Sequence, residues 1–324
     1  MIKNMFTLCL TSLIFVFFCH NASGENHRGG QGSGGFSGTI KLGAIQVISK
    51  NQLNADDDNK RIDNLDEPSK EVNEIFPLPL FDLNYAFQNG TSLYLGIPFE
   101  DGLRPTFGVT QRLPGGSIGL FFHYSILEEV WEDPYLTGVD RNDTDRTGLG
   151  GSIQYKIHNF EIGYEYSIVD VDKDLIGERF EELKRDGAVH KPSFGYKIKL
   201  GQGNMLVPKF SYTFADMDGD SNTYNGYKGE LSFMKMSESY MLMLSVNGGL
   251  KDYDKDRPIF NETREDKHYG AMGMLTWLKP FGYKRFSLSL GGGYAKTDSE
   301  IDFFDSDSYF GLTTIGYHFG SGGR

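Results

Sequence analysis

The chain has 324 residues, with 44 acidic and 32 basic side chains and a formal net charge of -12. That acidity excludes a polyanion-binding surface, which needs clustered Lys and Arg to release counterions. Eighteen tyrosines, 25 phenylalanines and 41 glycines, against 11 prolines and 2 tryptophans, favour strands over helices.

Residues 1–24 read as an export signal. Lys3 supplies the positive start, residues 5–19 are almost continuously apolar, and Ala22, Ser23 and Gly24 offer small residues for cleavage before Glu25. The apolar run is shorter than the roughly 20 residues a membrane helix needs. Cys9 and Cys19 both fall inside it, so the exported chain is expected to carry no thiol, which excludes disulfides and cysteine catalysis. A Gly-rich segment, residues 25–35, follows. No later stretch is apolar enough for a membrane helix, which leaves a membrane-spanning barrel open.

From Phe36 to Phe319 the apolar residues alternate with period two, the signature of strands with one greasy face. A first strand over residues 36–48 precedes a polar, acidic loop ending near Phe76. Phe81, Leu83, Tyr85 and Phe87 then share a face, and Asn89-Gly90 turns the chain into Leu93, Leu95 and Ile97, as a type I′ hairpin does. Loops over residues 100–104, 128–146, 170–190, 216–224, 251–267 and 297–308 alternate with tight turns at Pro114 to Gly116, at His158-Asn159, at Gly201 to Asn204, at Ser237 to Ser239 and over residues 279–283.

About fourteen strands result, with short turns at one end and long polar loops at the other, which is the pattern of a transmembrane antiparallel up-and-down β-barrel. Each strand has roughly the 9–11 residues needed to cross a bilayer when tilted. The expected organisation is therefore a signal at 1–24, the Gly-rich segment at 25–35, a barrel over residues 36–319 and a short tail at 320–324. In such a barrel the aromatic face meets lipid and the polar face meets a lumen.

At Trp131-Glu-Asp-Pro-Tyr-Leu-Thr-Gly138 the chain resembles a family of exported Gram-negative proteins, the domain of unknown function DUF2860. The segments NTYNGYKGELSFMK, residues 222–235, and RPIFNETREDKHY, residues 257–269, are similar to it as well. The resemblance implies an outer-membrane barrel and supplies no ligand, so it assigns no functional residue.

Chemistry-bearing motifs are sparse. Gly115-Gly-Ser117-Ile-Gly119 satisfies G-x-S-x-G, yet it opens a strand where a nucleophile elbow needs a following helix, so it reads as a hairpin turn and no enzyme is expected. His123, His268 and His318 read as lumen hydrogen-bonding residues. Asp216, Asp218 and Asp220 place oxygen ligands at alternate positions like half a calcium loop, but Ser221 stands where the glycine belongs and Tyr227 where the closing Glu belongs. A solvated acidic loop is the plainer reading. No cofactor is expected.

Two lumen features carry the functional expectation. Lys197, Lys199, Lys209 and Lys228 fall on inward positions beside Glu161, Glu165 and Glu230, to pair across strands or to form a selectivity filter. Met234, Met241, Met243, Met272 and Met274 form an inward thioether patch, to fill gaps or to receive an apolar solute. The expected function is a narrow passive channel for small solutes in the outer membrane. The alternatives are a transporter of apolar compounds through the methionine-lined lumen, with residues 25–35 as a plug, or a closed structural or adhesive barrel. The expected partners are outer-membrane lipid and lipopolysaccharide, the barrel assembly machinery and a small solute, with no nucleic acid.

Overall fold

The computed structural model describes residues 34–98 and 103–320. The expected export signal, nearly all of the Gly-rich segment and residues 321–324 lie outside them. The strands are β1 (Gly35–Asn51), β2 (Glu71–Ala86), β3 (Thr91–Gly96), β4 (Thr106–Leu113), β5 (Gly116–Trp131), β6 (Asp143–Ile157), β7 (Phe160–Val171) and β8 (Gly187–Tyr196). They continue as β9 (Ile198–Gly201), β10 (Asn204–Met217), β11 (Tyr224–Met236), β12 (Tyr240–Arg257), β13 (Glu262–Leu278), β14 (Phe286–Ser299) and β15 (Ser306–Gly320).

Every pairing is antiparallel between chain neighbours, and β15 returns to β1 from Ser37↔Gly320 to Asn51↔Ser306, which closes the sheet. β8 and β9 are two parts of one stave broken at Lys197, and both pair with β10. The fold is thus a closed barrel of 14 strands. Closure leaves no free edge around the turn-side half, as a bilayer demands of every backbone polar group.

The tight turns follow from local chemistry. Gln202 and Gly203 both have positive φ, at 50° and 78°, the backbone of a two-residue type I′ hairpin between β9 and β10. A Cβ on Gly203 would meet the Met236 carbonyl oxygen at 2.2 Å, so the close approach of β11 also requires glycine there. Gly115, with φ 81°, turns β4 into β5, so the G-x-S-x-G match is a hairpin.

The strands outrun the periodicity at the loop end. The expected loop over residues 251–267 is instead the top of a long hairpin, in which Asp256 faces Thr263 and Arg257 faces Glu262. Likewise β2 begins at Glu71, β5 runs to Trp131 and β6 begins at Asp143, all inside segments expected to be loop. Above the bilayer both faces of a strand meet water or other loops, so the greasy alternation disappears while the ladder continues.

Phe36, Phe160, Trp277 and Phe286 are exposed on the outer wall toward the turn end, and Tyr166, Tyr227, Tyr269 and Tyr309 toward the loop end. Between them Leu42, Leu120, Leu244 and Leu290 form an exposed aliphatic band. Two aromatic girdles around an apolar belt are the mark of a wall that faces lipid.

Inside, side chains lie in layers. At the turn end Thr39 and Ser287 hydrogen-bond His318 at 2.9 Å each, and Thr276 meets Ser289 at 3.0 Å. Above them is an apolar layer of Ile45, Leu78, Met234, Met243, Met272 and Leu312 with their neighbours. Charged residues follow, and the loops cover the top.

Candidate functional site

The apolar layer is built by register. Met205, Met234, Met243 and Met274 stand directly opposite one another on β10 to β13, and the row continues through Gly291, Leu312, Ile45 and Phe76 on β14, β15, β1 and β2. Met243 is 2% exposed and Leu78 is 1% exposed, so this layer is packed as a core inside the barrel. The structure brings Met234, Met243, Met272 and Met274 together here, with Met241 half-buried two residues nearer the turn end. Met205 is a further member that the sequence reading omits; its parity with Lys209 on the same strand is the signal that identifies it.

The charged residues pair across strands. Glu161 faces Lys156, 3.7 Å away, and Lys209 faces Glu230, which lies 4.0 Å from Lys228. Glu165 faces Lys191, and it accepts a hydrogen bond from Arg104 at 3.1 Å with His123 at 3.5 Å. Arg104, His123 and Lys191 belong to this constellation but not to the sequence-based charge set: Lys191 meets Glu165 from the neighbouring β8, while His123 on β5 and Arg104 before β4 reach it from beyond β6.

Lys199 and Lys209 do not sit together as a filter. Lys199 is exposed opposite Met205, while Lys209 faces Gly195 deeper in the lumen. Four residues of strand separate those levels, about 13 Å, which exceeds the screening length of about 8 Å at physiological salt. Lys197 lies at the break between β8 and β9, where its N–H donates to the Asn159 carbonyl at 2.8 Å.

The acidic triplet does not assemble. Asp216 lies near the end of β10, Asp220 opens a short 3-10 turn, and Asp216, Asp218 and Asp220 are all exposed. Asn222, next in the alternating series, is committed elsewhere: its amide donates to the Leu183 and Lys184 carbonyls at 2.8 and 2.9 Å, and its oxygen accepts from Arg257 at 2.8 Å. Among the described residues no group of three or more His, Cys, Asp or Glu is placed to hold a metal.

The loop end is closed by a second apolar core. Ile62, Tyr135, Ile176, Leu183, Ile301, Phe303 and Phe304 pack together from four connections, and Ile259 and Phe260 join them from a fifth. Tyr135 lies at their centre, with ring centroids 5.2 Å from Phe303 and 5.7 Å from Phe260, and its hydroxyl accepts from Arg257 at 3.1 Å.

The octapeptide that begins at Trp131 ties this cap to the barrel. The Trp131 indole donates to the Gln52 carbonyl at 3.1 Å. Glu132 accepts from Lys173 at 2.7 Å, and Asp133 pairs with Arg179 at 3.1 Å. The Gly138 N–H donates to the Ile62 carbonyl at 2.8 Å with φ of 72°. Arg141 is completely buried; it stacks 4.5 Å over Trp131 and donates to the carbonyls of Gln52, Pro134 and Asn59. Burial pulls its pKa down to about 10 against the opposing pull of Asp133 and Glu67, so the guanidinium stays charged at neutral pH.

Between the methionine layer and the cap lies a cavity of about 750 Å³. One wall, from β1, β2 and the β3–β4 connection, is Ile45, Phe76, Leu78, Ile97 and Leu103. The other, from β5, β7, β8, β11 and β13, carries His123, Glu165, Lys191, Lys228 and His268. An apolar wall facing a charged one accommodates a molecule with a greasy body and a polar head, and the volume falls within the about 300–1,000 Å³ of ordinary ligand sites.

A lipid-facing outer wall, a closed antiparallel ladder and a side-chain-filled lumen define a transmembrane β-barrel of the outer-membrane type. The chain belongs to DUF2860, described as a protein of unknown function, whose family model matches residues 35–318. No curated protein matches it. Among solved structures it is similar to the outer-membrane channel DcaP of Acinetobacter baumannii, with 10% identity, 88% of this chain and 97% of that one covered, and a TM-score of 0.45. OmpT of Vibrio cholerae gives 6% identity, 89% and 98% coverage and a TM-score of 0.44. LpxR from Salmonella typhimurium gives 12% identity, 86% and 100% coverage and a TM-score of 0.41.

Proposed function

We propose that the protein is an outer-membrane barrel that binds small amphipathic solutes in an occluded lumen and passes them across the membrane. The two-faced cavity between the methionine layer and the loop cap carries this reading. An unobstructed aqueous pore needs a wide wet path from end to end. Here packed side chains occupy the turn-side half of the path and five loops occupy the other end. Both features favour a compartment over the expected open channel and support the methionine-lined alternative. In this reading the longer connections face outside the cell and the tight turns face the periplasm.

Binding of N-phenyl-1-naphthylamine to the detergent-solubilised barrel, followed by fluorescence, and conductance in a planar bilayer together test the proposal. Saturable binding with little steady conductance is expected, and Leu78→Gln should weaken binding about tenfold by placing an amide on the apolar wall. Large steady conductance without binding overturns the reading in favour of an open pore, where Lys209→Glu would then move the reversal potential more than Lys199→Glu.

A further inference from the structure

The cavity is charged against the sign of the whole chain. The chain has a net charge of -12, yet the described residues that line the cavity include nine lysines and arginines and only two carboxylates, Glu128 and Glu165. Arginine engages both: Glu128 accepts from Arg146 at 3.3 Å, and Glu165 from Arg104 at 3.1 Å. Two more arginines of the lining are spent on carboxylates outside it, Arg264 on the fully buried Asp266 through two bonds of 2.7 Å and Arg185 on Asp174 at 2.8 Å. Lys296 pairs with Asp298 at 3.6 Å. Three lysines, Lys191, Lys228 and Lys251, remain along the wall.

Register brings these lysines onto one patch. Lys228 on β11 faces Gly249 on β12, and Gly249 faces His268 on β13. Lys251 lies two residues along from Gly249, which makes it the diagonal neighbour of Lys228, about 7–8 Å away in strand geometry. Lys191 approaches from β8, and only the small Ser211 and Thr213 of β10 lie between it and β11. A Cβ on Gly249 would meet the Tyr227 carbonyl oxygen at 2.6 Å, so the close approach of β11 keeps the floor between Lys228 and His268 bare. Like charges on one face repel. Glu230, 4.0 Å from Lys228, also faces Lys209, so one carboxylate serves two ammonium groups. Among the described residues neither Lys191 nor Lys251 makes a contact ion pair; Lys251 lies 5.1 Å from the Tyr224 ring.

Polar atoms of the same patch also lack partners. Asn247 Nδ2 and His268 Nε2 have no hydrogen-bond partner among the described residues and no contact with water, although both residues line the cavity. The other His268 ring nitrogen, Nδ1, is engaged by the Thr297 hydroxyl at 3.0 Å. Asn247 stands two residues from Gly249 on the side away from Lys251, so the bare glycine is surrounded by Lys228, His268, Asn247 and Lys251. Buried polar atoms are ordinarily bonded, and acceptor oxygens placed over Gly249 supply what is missing.

We infer that the recess over Gly249 binds the anionic head of a single-chain amphipath, a long-chain carboxylate whose hydrocarbon tail lies along Ile45, Phe76 and Leu78. This rests on the proposed function and adds the substrate class. The carboxylate oxygens accept from the ammonium groups of Lys228 and Lys251 and from the Asn247 amide, and the low dielectric of a packed lumen strengthens each contact. The charge of the head relieves the repulsion among the lysines, which a neutral or cationic head leaves in place. A space of about 750 Å³ suits one chain with one head.

The test uses the full barrel in a neutral detergent with two fluorescent probes. 1-Anilinonaphthalene-8-sulfonate is N-phenyl-1-naphthylamine with an added sulfonate, so the pair differs in the charged head alone. The sulfonate probe should bind at least tenfold more tightly than the neutral one. Lys228→Gln with Lys251→Gln should lower that preference at least tenfold, and Lys251→Arg should retain it. Lys251→Gln alone, expected to lower it at least threefold, replaces the double variant should the latter lose the gel shift of a folded barrel. Dodecanoate should displace the sulfonate probe, while acetate, inorganic phosphate and dodecyltrimethylammonium at the same concentration leave it bound. With N-phenyl-1-naphthylamine still binding, equal affinity for the two probes, or an unchanged preference in the lysine variants, overturns the anionic-head site and leaves the proposed function standing. Displacement by phosphate as effective as by dodecanoate assigns the patch to a free anion and also overturns it. Failure of both probes to bind the wild-type barrel removes the proposed function and this inference together.

Discussion

Arg141 shows how much of the cap depends on one side chain. Its guanidinium serves three backbone carbonyls on two segments and stacks on Trp131, all without access to water. Arg141→Ala should therefore cost the cap about 2–4 kcal/mol, because buried carbonyls lose their donor and a cavity opens beside the indole. Limited proteolysis of residues 52–70 and 172–186 measures the loss, while the strand ladder stays protected. Titration acts on the same structure through two carboxyls. Burial raises the pKa of Asp186 and of Asp305; the Val171 and Ser299 N–H groups oppose this, and neighbouring carboxylates reinforce it. Both folded values then lie above the unfolded value of about 3.9, so the folded cap binds more protons as the pH falls. The cap should tighten as pH falls through the raised values and loosen as it rises past them. Asp186→Asn with Asp305→Asn should flatten that dependence in hydrogen exchange and hold the loops tighter at pH 7.

At the scale of elements, period-two alternation suffices to place strands in the bilayer and fails above it. Residues 251–257, KDYDKDR, carry charge on both faces and read as loop, yet Tyr253 faces Tyr224 on β11 and Arg257 faces Glu262 on β13. Cross-strand contacts and the cap hold that hairpin, and neither leaves a mark on a single segment. β2 presents the reverse case. Pro77 and Pro79 would ordinarily argue against an interior strand, and among the described residues that stretch pairs with β1 alone. Pro77→Ala with Pro79→Ala should leave the barrel closed but give that stretch two N–H donors in lipid, each costing several kcal/mol unless paired. The expected outcome is a lower temperature of heat-induced unfolding in an SDS gel, or dimers joined at β2. Unchanged migration on both counts would show that the stretch meets water.

For the whole molecule, closure predicts behaviour independent of ligand. The ladder from β1 round to β15 should survive detergent, so unheated protein is expected to migrate anomalously in an SDS gel and shift on boiling. Orientation is tested by single thiols in a cysteine-free background. Asp218→Cys, on the loop side, should react with an impermeant maleimide on intact cells, and Gln202→Cys, in the β9–β10 turn, only after lysis. Reversed labelling would invert the barrel and place the cap in the periplasm.

The barrel is legible in the chain alone, because lipid outside and a lumen inside impose strict alternation on each strand, and a hairpin turn needs Asn, Gly or positive φ within a few residues. Alternation also determines which residues face inward, so the methionines and Lys209 could be read from parity alone. What those inward residues do depends on contacts between strands. Whether methionines line a passage or fill it depends on register across four strands. Whether Lys209 is a filter or one side of a pair depends on Glu230 standing opposite. The Trp131 octapeptide was visible as a motif but not as a tie, since its partners at Gln52, Ile62 and Arg179 come from other loops.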